Sequence, residues 1–283
     1  NNASGGSDHA STLYGIFLST VNGVISASNN SITLSTSGTS AMHWIYNGNA
    51  CTSENYSNNT FAAGGFTSTS TAYIIYSSNA TNDKTISGNQ TSGAINKTSA
   101  SGSIYCYYNA GTPTGGTETI SNNNFSNISV TGTSSLYGIY SSSALAQNRV
   151  CNNNTISNLV GGTGSCYPLY LLSSLSNQIN NNSVSNVTTG GLFYGLYFSG
   201  TTPTVYENTI YNVTSSGTTY VIYNAGTGTT LLYRNKVSNI TNNSTTAALY
   251  GIYATTGTSN NIYNNFVSEL YAPNLSSTTI NLT

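Results

Sequence analysis

Charge is nearly missing from this chain. Of its 283 residues, five are Lys or Arg and six are Asp or Glu, 4% in all with a net charge of −1; an ordinary soluble domain carries roughly 25%. That leaves no basic field for nucleic acid or an anionic membrane, and no acidic tail. No apolar run approaches the ~18 residues needed to span a bilayer, so membrane insertion is not expected. Methionine and tryptophan occur once each and proline four times. The four cysteines include no C-x-x-C pair and do not make a disulfide-dense scaffold. Buried free thiols are expected, with a Cys151–Cys166 bridge as the alternative. Scarce lysine beside abundant Asn, Ser and Thr points to a secreted or cell-surface protein.

Order must come from what remains. The chain holds 42 Asn, 23 Tyr and 7 Phe, and that aromatic content argues against disorder. Backbone pairing and stacked polar side chains are therefore expected to contribute much of the structure, which suggests a β-rich repeat.

The repeat is explicit. A tetrad returns nine times, as Tyr14-Gly15-Ile16-Phe17, His43-Trp44-Ile45-Tyr46, Tyr73-Ile74-Ile75-Tyr76, Tyr105-Cys106-Tyr107-Tyr108, Tyr137-Gly138-Ile139-Tyr140, Tyr167-Pro168-Leu169-Tyr170, Tyr194-Gly195-Leu196-Tyr197, Tyr220-Val221-Ile222-Tyr223 and Tyr250-Gly251-Ile252-Tyr253, at spacings of 26 to 32 residues. A second block keeps phase with it through the apolar anchors Ile32, Phe61, Ile86, Phe125, Ile156, Val184, Ile210, Val237 and Val267. Two residues before them stand Asn30, Asn59, Lys84, Asn123, Asn154, Asn182, Asn208, Asn235 and Asn265, so one position demands Asn with Lys84 as its exception. A weaker segment such as Thr204-Val205-Tyr206 lies between the blocks. Three short strands per repeat, parted by Gly, Ser, Thr and Asn turns, follow from this pattern.

A period near 30 with three β segments and no helical pattern is one turn of a parallel β-helix. The fold class expected is all-β, a right-handed parallel β-helix of about nine coils over residues 1–283, one domain and part of a longer chain. Equivalent strands stack ~4.8 Å apart, so each sequence column becomes a column in space. Stacked Asn side chains then bond amide to amide. The Tyr-Gly-Ile-Tyr tetrads and Asn-Asn-x-Ile-x-Asn blocks resemble the parallel β-helix repeats of bacterial surface proteins. They are especially similar to large Asn/Ser/Thr/Gly-rich proteins exported by type IX secretion. The resemblance implies the fold strongly and activity weakly, since such repeats occur in lyases, hydrolases, adhesins and passive stalks.

Catalysis is not expected. Glu54 and Glu118 share a phase but lie two coils apart, about 10 Å by the strand spacing, and no two acids are in phase on adjacent coils. His43 reads as an aromatic substitute within the tetrad. No catalytic residue, metal site or cofactor is assigned. Several Asn-x-Ser/Thr triplets, among them Asn127, Asn186, Asn212 and Asn239, fall on ladder positions that leave a glycan no room. Glu207 and Arg234, three residues before consecutive anchors, are expected to be exposed axial neighbours; Asp83 is given the same position on its coil.

The tetrads carry the functional expectation. Strand alternation places the aliphatic third residue and the first Tyr on the core side. The other side then holds Phe17, Tyr46, Tyr76, Tyr108, Tyr140, Tyr170, Tyr197, Tyr223 and Tyr253, together with Leu13, Met42, Ile104, Leu136, Phe193 and Leu249. Such a strip exceeds what a monomer usually exposes. It suggests a non-catalytic extracellular fibre, stalk or adhesin that assembles with itself or another surface protein through this face, or through open coil ends. Glycan binding on the Tyr columns is the alternative, and a polysaccharide lyase or hydrolase a more distant one.

Overall fold

A computed structural model describes residues 2–4, 12–18, 22–36, 39–143 and 146–274. Residues 275–283, and Asp8 and His9, lie outside the described residues.

The described chain is all β, a parallel solenoid of about eight turns. Each turn contributes to each of three sheets, and two turns give the anchor sheet two short strands, Gln90–Thr91 with Ile95–Lys97 and Phe266–Val267 with Leu270–Tyr271. The tetrad sheet stacks nine strands in chain order, from Leu13–Leu18 to Leu249–Ala254. A middle sheet of nine runs from Val24–Ser28 to Ser259–Tyr263. The anchor sheet has twelve, including Ser31–Thr36, Asn124–Val130 and Lys236–Asn242. Neighbouring strands are parallel and in register, so Tyr105 pairs with Tyr137 and Ile120 with Cys151. Nine levels at ~4.8 Å make a rod roughly 40 Å long. Its interior is one continuous cluster of Ile, Val, Leu and Phe from all three sheets, with Trp44 and Met42 near one end.

A left-handed residue marks the corner between middle and anchor sheets. Asn29, Asn58, Gly88, Asn122, Asn153, Asn181, Glu207, Arg234 and Asn264 all have φ between 55° and 64°. Asn and Gly tolerate this region best, and the ladder Asn follows one residue later.

One coil departs from the expected alignment. Ile86 belongs to the middle sheet, paired with Tyr56 and Ile120, and is not an anchor. The anchor of that coil is Thr91, paired with Phe61, and the corner is Gly88. Asn89, not Lys84, therefore fills the Asn column, and Asp83 is not a corner residue. Lys84 stands two residues before Ile86, the offset that Asn keeps from the anchor elsewhere, and strand pairing places both in the middle sheet.

Candidate functional site

The first and fourth residues of each tetrad point outward, which corrects the expected alternation. In the strand Leu136–Ser142, Leu136, Gly138, Ile139 and Ser141 are buried, whereas Tyr137 and Tyr140 are half-exposed. Pairing with the strands on either side skips Cys106, Gly138 and Pro168. That position behaves as a bulge, after which two consecutive residues face inward. Because every coil carries it at the same place, register survives. A proline is accepted at Pro168 because the position donates nothing to the ladder. Met42, Ile104, Leu136 and Phe193 are consequently core residues, and Leu13 and Leu249 pack against the core.

The outer face of the sheet thus carries two aromatic columns. Tyr14, His43, Tyr73, Tyr105, Tyr137, Tyr167, Tyr194, Tyr220 and Tyr250 stack with centroids 4.3–5.4 Å apart. Phe17, Tyr46, Tyr76, Tyr108, Tyr140, Tyr170, Tyr197, Tyr223 and Tyr253 form the second column at 4.5–5.5 Å. Across the columns the rings meet edge to face, as Tyr105 does with Tyr108 at 5.0 Å. Ring faces are covered along the axis, so edges and hydroxyls make the outer surface. His43 sits within the first column, its Nδ1 without a hydrogen-bond partner. Burial lowers its pKa to about 4.

The Asn column is internal and continuous. From Asn30 through Asn59, Asn89, Asn123, Asn154, Asn182, Asn208 and Asn235 to Asn265, each Nδ2 donates to the next Oδ1 at 2.9 Å. The backbone N–H of each donates to the same oxygen, and Nδ2 also reaches a main-chain carbonyl, Cys151 O at 2.9 Å in the case of Asn182. This satisfies the buried amides. A second ladder runs outside: Asn158, Asn186, Asn212 and Asn239 each donate to the Asn one coil before, beginning at Asn127, at 2.8–3.0 Å. These side chains are exposed. The expected enclosure of their Asn-x-Ser/Thr triplets does not hold, although each amide is engaged by its neighbours.

What the sequence reading missed is a column of charge inside the rod. Glu54, Lys84, Glu118 and Arg149 pair in register on four successive middle strands, and none is more than 2% exposed. Glu54 and Glu118 are two coils apart as expected, but Lys84 lies between them. Each stands two residues before a buried middle-strand residue (Tyr56, Ile86, Ile120 and Cys151), a spacing that would have revealed the column had Lys84 not been given to the Asn series. Arg149 Nε donates to Glu118 Oε2 at 2.8 Å. Its other nitrogens reach Ser141, Ser143, Asn177 and Leu172 O. Tyr107, which replaces the aliphatic tetrad residue, donates its hydroxyl to Glu118 Oε1 at 2.7 Å. Burial raises the Glu118 pKa, but Arg149 and the hydrogen bonds from Ser141, Arg149 and Tyr107 outweigh it and hold the carboxyl below its usual value. Glu54 accepts from Asn47, Ser77 and Asn79. Sealed in this way, the two in-phase glutamates have no access to a substrate.

Glu207 and Arg234 are exposed axial neighbours as expected, 3.4 Å apart. All four cysteines are free. Burial pushes the Cys151 and Cys166 thiols up to about 12, so neither is a thiolate at neutral pH. Among the described residues no trio of His, Cys, Asp or Glu is placed to hold a metal, and no helix is long and apolar enough to cross a membrane.

The geometry defines a parallel β-solenoid with polar ladders inside and an aromatic ridge outside. No protein family, curated protein or solved structure matches the chain.

Proposed function

We propose that this chain is a non-catalytic structural segment of an extracellular fibre, stalk or adhesin, and that its tyrosine ridge seats against a second copy of the rod. The observation that carries the reading is the ridge itself: two interlocked aromatic columns, unbroken over nine strands, on an outer face. A surface repeating at every coil is matched best by one of equal repeat, and another copy of the same solenoid has it. Sealed charges, capped by side-chain and main-chain partners, fit a scaffold better than an enzyme. The resemblance of the repeats to bacterial surface β-helices, and the scarcity of lysine, support a place outside the cell.

Glycan binding on the ridge is the second reading, favoured by its row of hydroxyls. Stacking on sugar rings needs an open aromatic face, and here neighbouring rings cover those faces, so recognition falls to hydroxyls and edges.

Replacing Tyr140, Tyr170 and Tyr197 with Ser tests the ridge, with Phe at the same positions as a control that keeps the stacking. Sedimentation of the wild type should show self-association that the Ser variant loses while its melt stays cooperative. A wild-type chain that remains monomeric at high concentration, or a Ser variant that associates equally well, would overturn the assembly reading. Retention of the wild type, but not the Phe variant, on a polysaccharide column would favour the second.

A further inference from the structure

Lys84 is a buried amine without a counter-ion in contact. It lies in the middle strand Asp83–Ser87, 1% exposed. Its Nζ reaches Ser77 O at 2.7 Å, Ser77 Oγ at 3.1 Å, Asn79 O at 3.3 Å and Asn109 Oδ1 at 3.1 Å. Among the described residues no carboxylate lies within ion-pair distance of it; Glu118 is taken by Arg149. A buried ammonium in that position relieves its desolvation by losing the proton. Burial accordingly lowers the Lys84 pKa, against the opposing pull of Glu54 and Glu118. A neutral amine is a nucleophile.

Asn109, which ends the tetrad strand Ile104–Asn109 of the next coil, is fully buried. Its carboxamide is held on two further sides. The Gly111 N–H donates to Oδ1 at 2.9 Å, and Nδ2 donates to Glu118 Oε1 at 2.8 Å. The first contact polarises the carbonyl and would stabilise negative charge on its oxygen. The second sets a carboxylate beside the nitrogen that must leave. The Lys84 Nζ contact to Asn109 Oδ1 at 3.1 Å places the amine beside the carboxamide, one bond from the carbon it would attack.

We propose that Lys84 and Asn109 condense into an intramolecular isopeptide bond. The neutral Nζ attacks Cγ of Asn109, and charge gathers on Oδ1 under the Gly111 N–H. The Cγ–Nδ2 bond breaks, and Nδ2 leaves as ammonia, taking the proton that Nζ gives up as it becomes the amide nitrogen, while Glu118 Oε1 at 2.8 Å orients the leaving nitrogen. One amide replaces another, and neither oxidant nor reductant is involved. The product links one coil covalently to the next, where otherwise hydrogen bonds and packing alone resist their separation. The bond does not depend on how the tyrosine ridge is used.

Intact mass spectrometry of the folded wild-type chain, followed by peptide mapping, is the test. The expected mass is one ammonia short, with the peptides containing Lys84 and Asn109 joined, and the Lys84→Met and Asn109→Ala chains at full mass. A folded wild-type chain at full mass overturns the proposal. So does an ammonia loss that maps to another asparagine, for example as a succinimide at Asn47-Gly48, with Lys84 unmodified. Because the wild-type mass decides, the outcome stands even if a variant fails to fold.

Discussion

Arg149 Nε lies 2.8 Å from Glu118 Oε2, with neither side chain reaching solvent, while the Arg234–Glu207 pair on the surface is held at 3.4 Å. The two pairs are of the same chemical type and of opposite consequence. Removing one partner of a buried pair strands the other in a low dielectric, at about 3–5 kcal/mol. An exposed pair contributes at most ~1 kcal/mol. Arg149→Met should therefore lower the denaturation midpoint strongly and Arg234→Ala hardly at all. The double variant Arg149→Met/Glu118→Gln should lose less than the sum of its single changes.

The Asn column predicts a cost that spreads to neighbours. Asn182→Leu removes the acceptor for the N–H and Nδ2 of Asn154 and the donor to Asn208 Oδ1 and Cys151 O. Each buried group left unsatisfied costs roughly 1–3 kcal/mol. Chemical denaturation should show the loss, and hydrogen exchange should place it at Asn154 and Asn208 as well as at residue 182.

His43 makes the rod acid-sensitive. Its imidazole titrates at about 4 in the fold against 6.5 when free. Above 6.5 it is neutral in both states and its burial costs no protonation energy. As pH falls from 6.5 towards 4, only the unfolded chain takes up the proton, so stability is lost across that window. His43→Tyr should keep the column stacked without a group that titrates in this range, and flatten the melting temperature across it.

The tyrosine columns predict the opposite limit. Burial, aided by neighbouring tyrosines, raises Tyr73 and Tyr137 to about 12 from the usual 10.0. Below pH 10 both states are protonated and the stabilisation is whole. Between 10 and 12 the unfolded chain ionises first, and stability drains away. Alkaline titration should show the tyrosinate signal rising together with loss of β circular dichroism, in one cooperative step and not as independent ionisations.

Much of this molecule could be read along the chain. The tetrads set the repeat length, the recurring Asn revealed the amide ladder, and the shared offset of Glu207 and Arg234 from their anchors revealed their adjacency. Each of these repeats coil after coil, and in a parallel stack sequence phase is spatial position. The side of the sheet taken by the first Tyr could not be read, because a bulge adds one residue to the count and leaves no mark on composition. Nor could Asn89 be told from Lys84 as the member of the Asn column. Both precede apolar or β-branched residues, and only strand pairing shows which belongs to which sheet. The sequence by itself determined a stacked β-coil with an internal amide ladder, since few charges and a phased repeat permit little else. Tertiary structure alone decided that the first and fourth tetrad residues share one outer face, and that the side of the middle sheet carrying Glu54, Lys84, Glu118 and Arg149 is the inner one. Those relations depend on hydrogen-bond register between coils some 30 residues apart, and register is a property of the stack rather than of any one repeat.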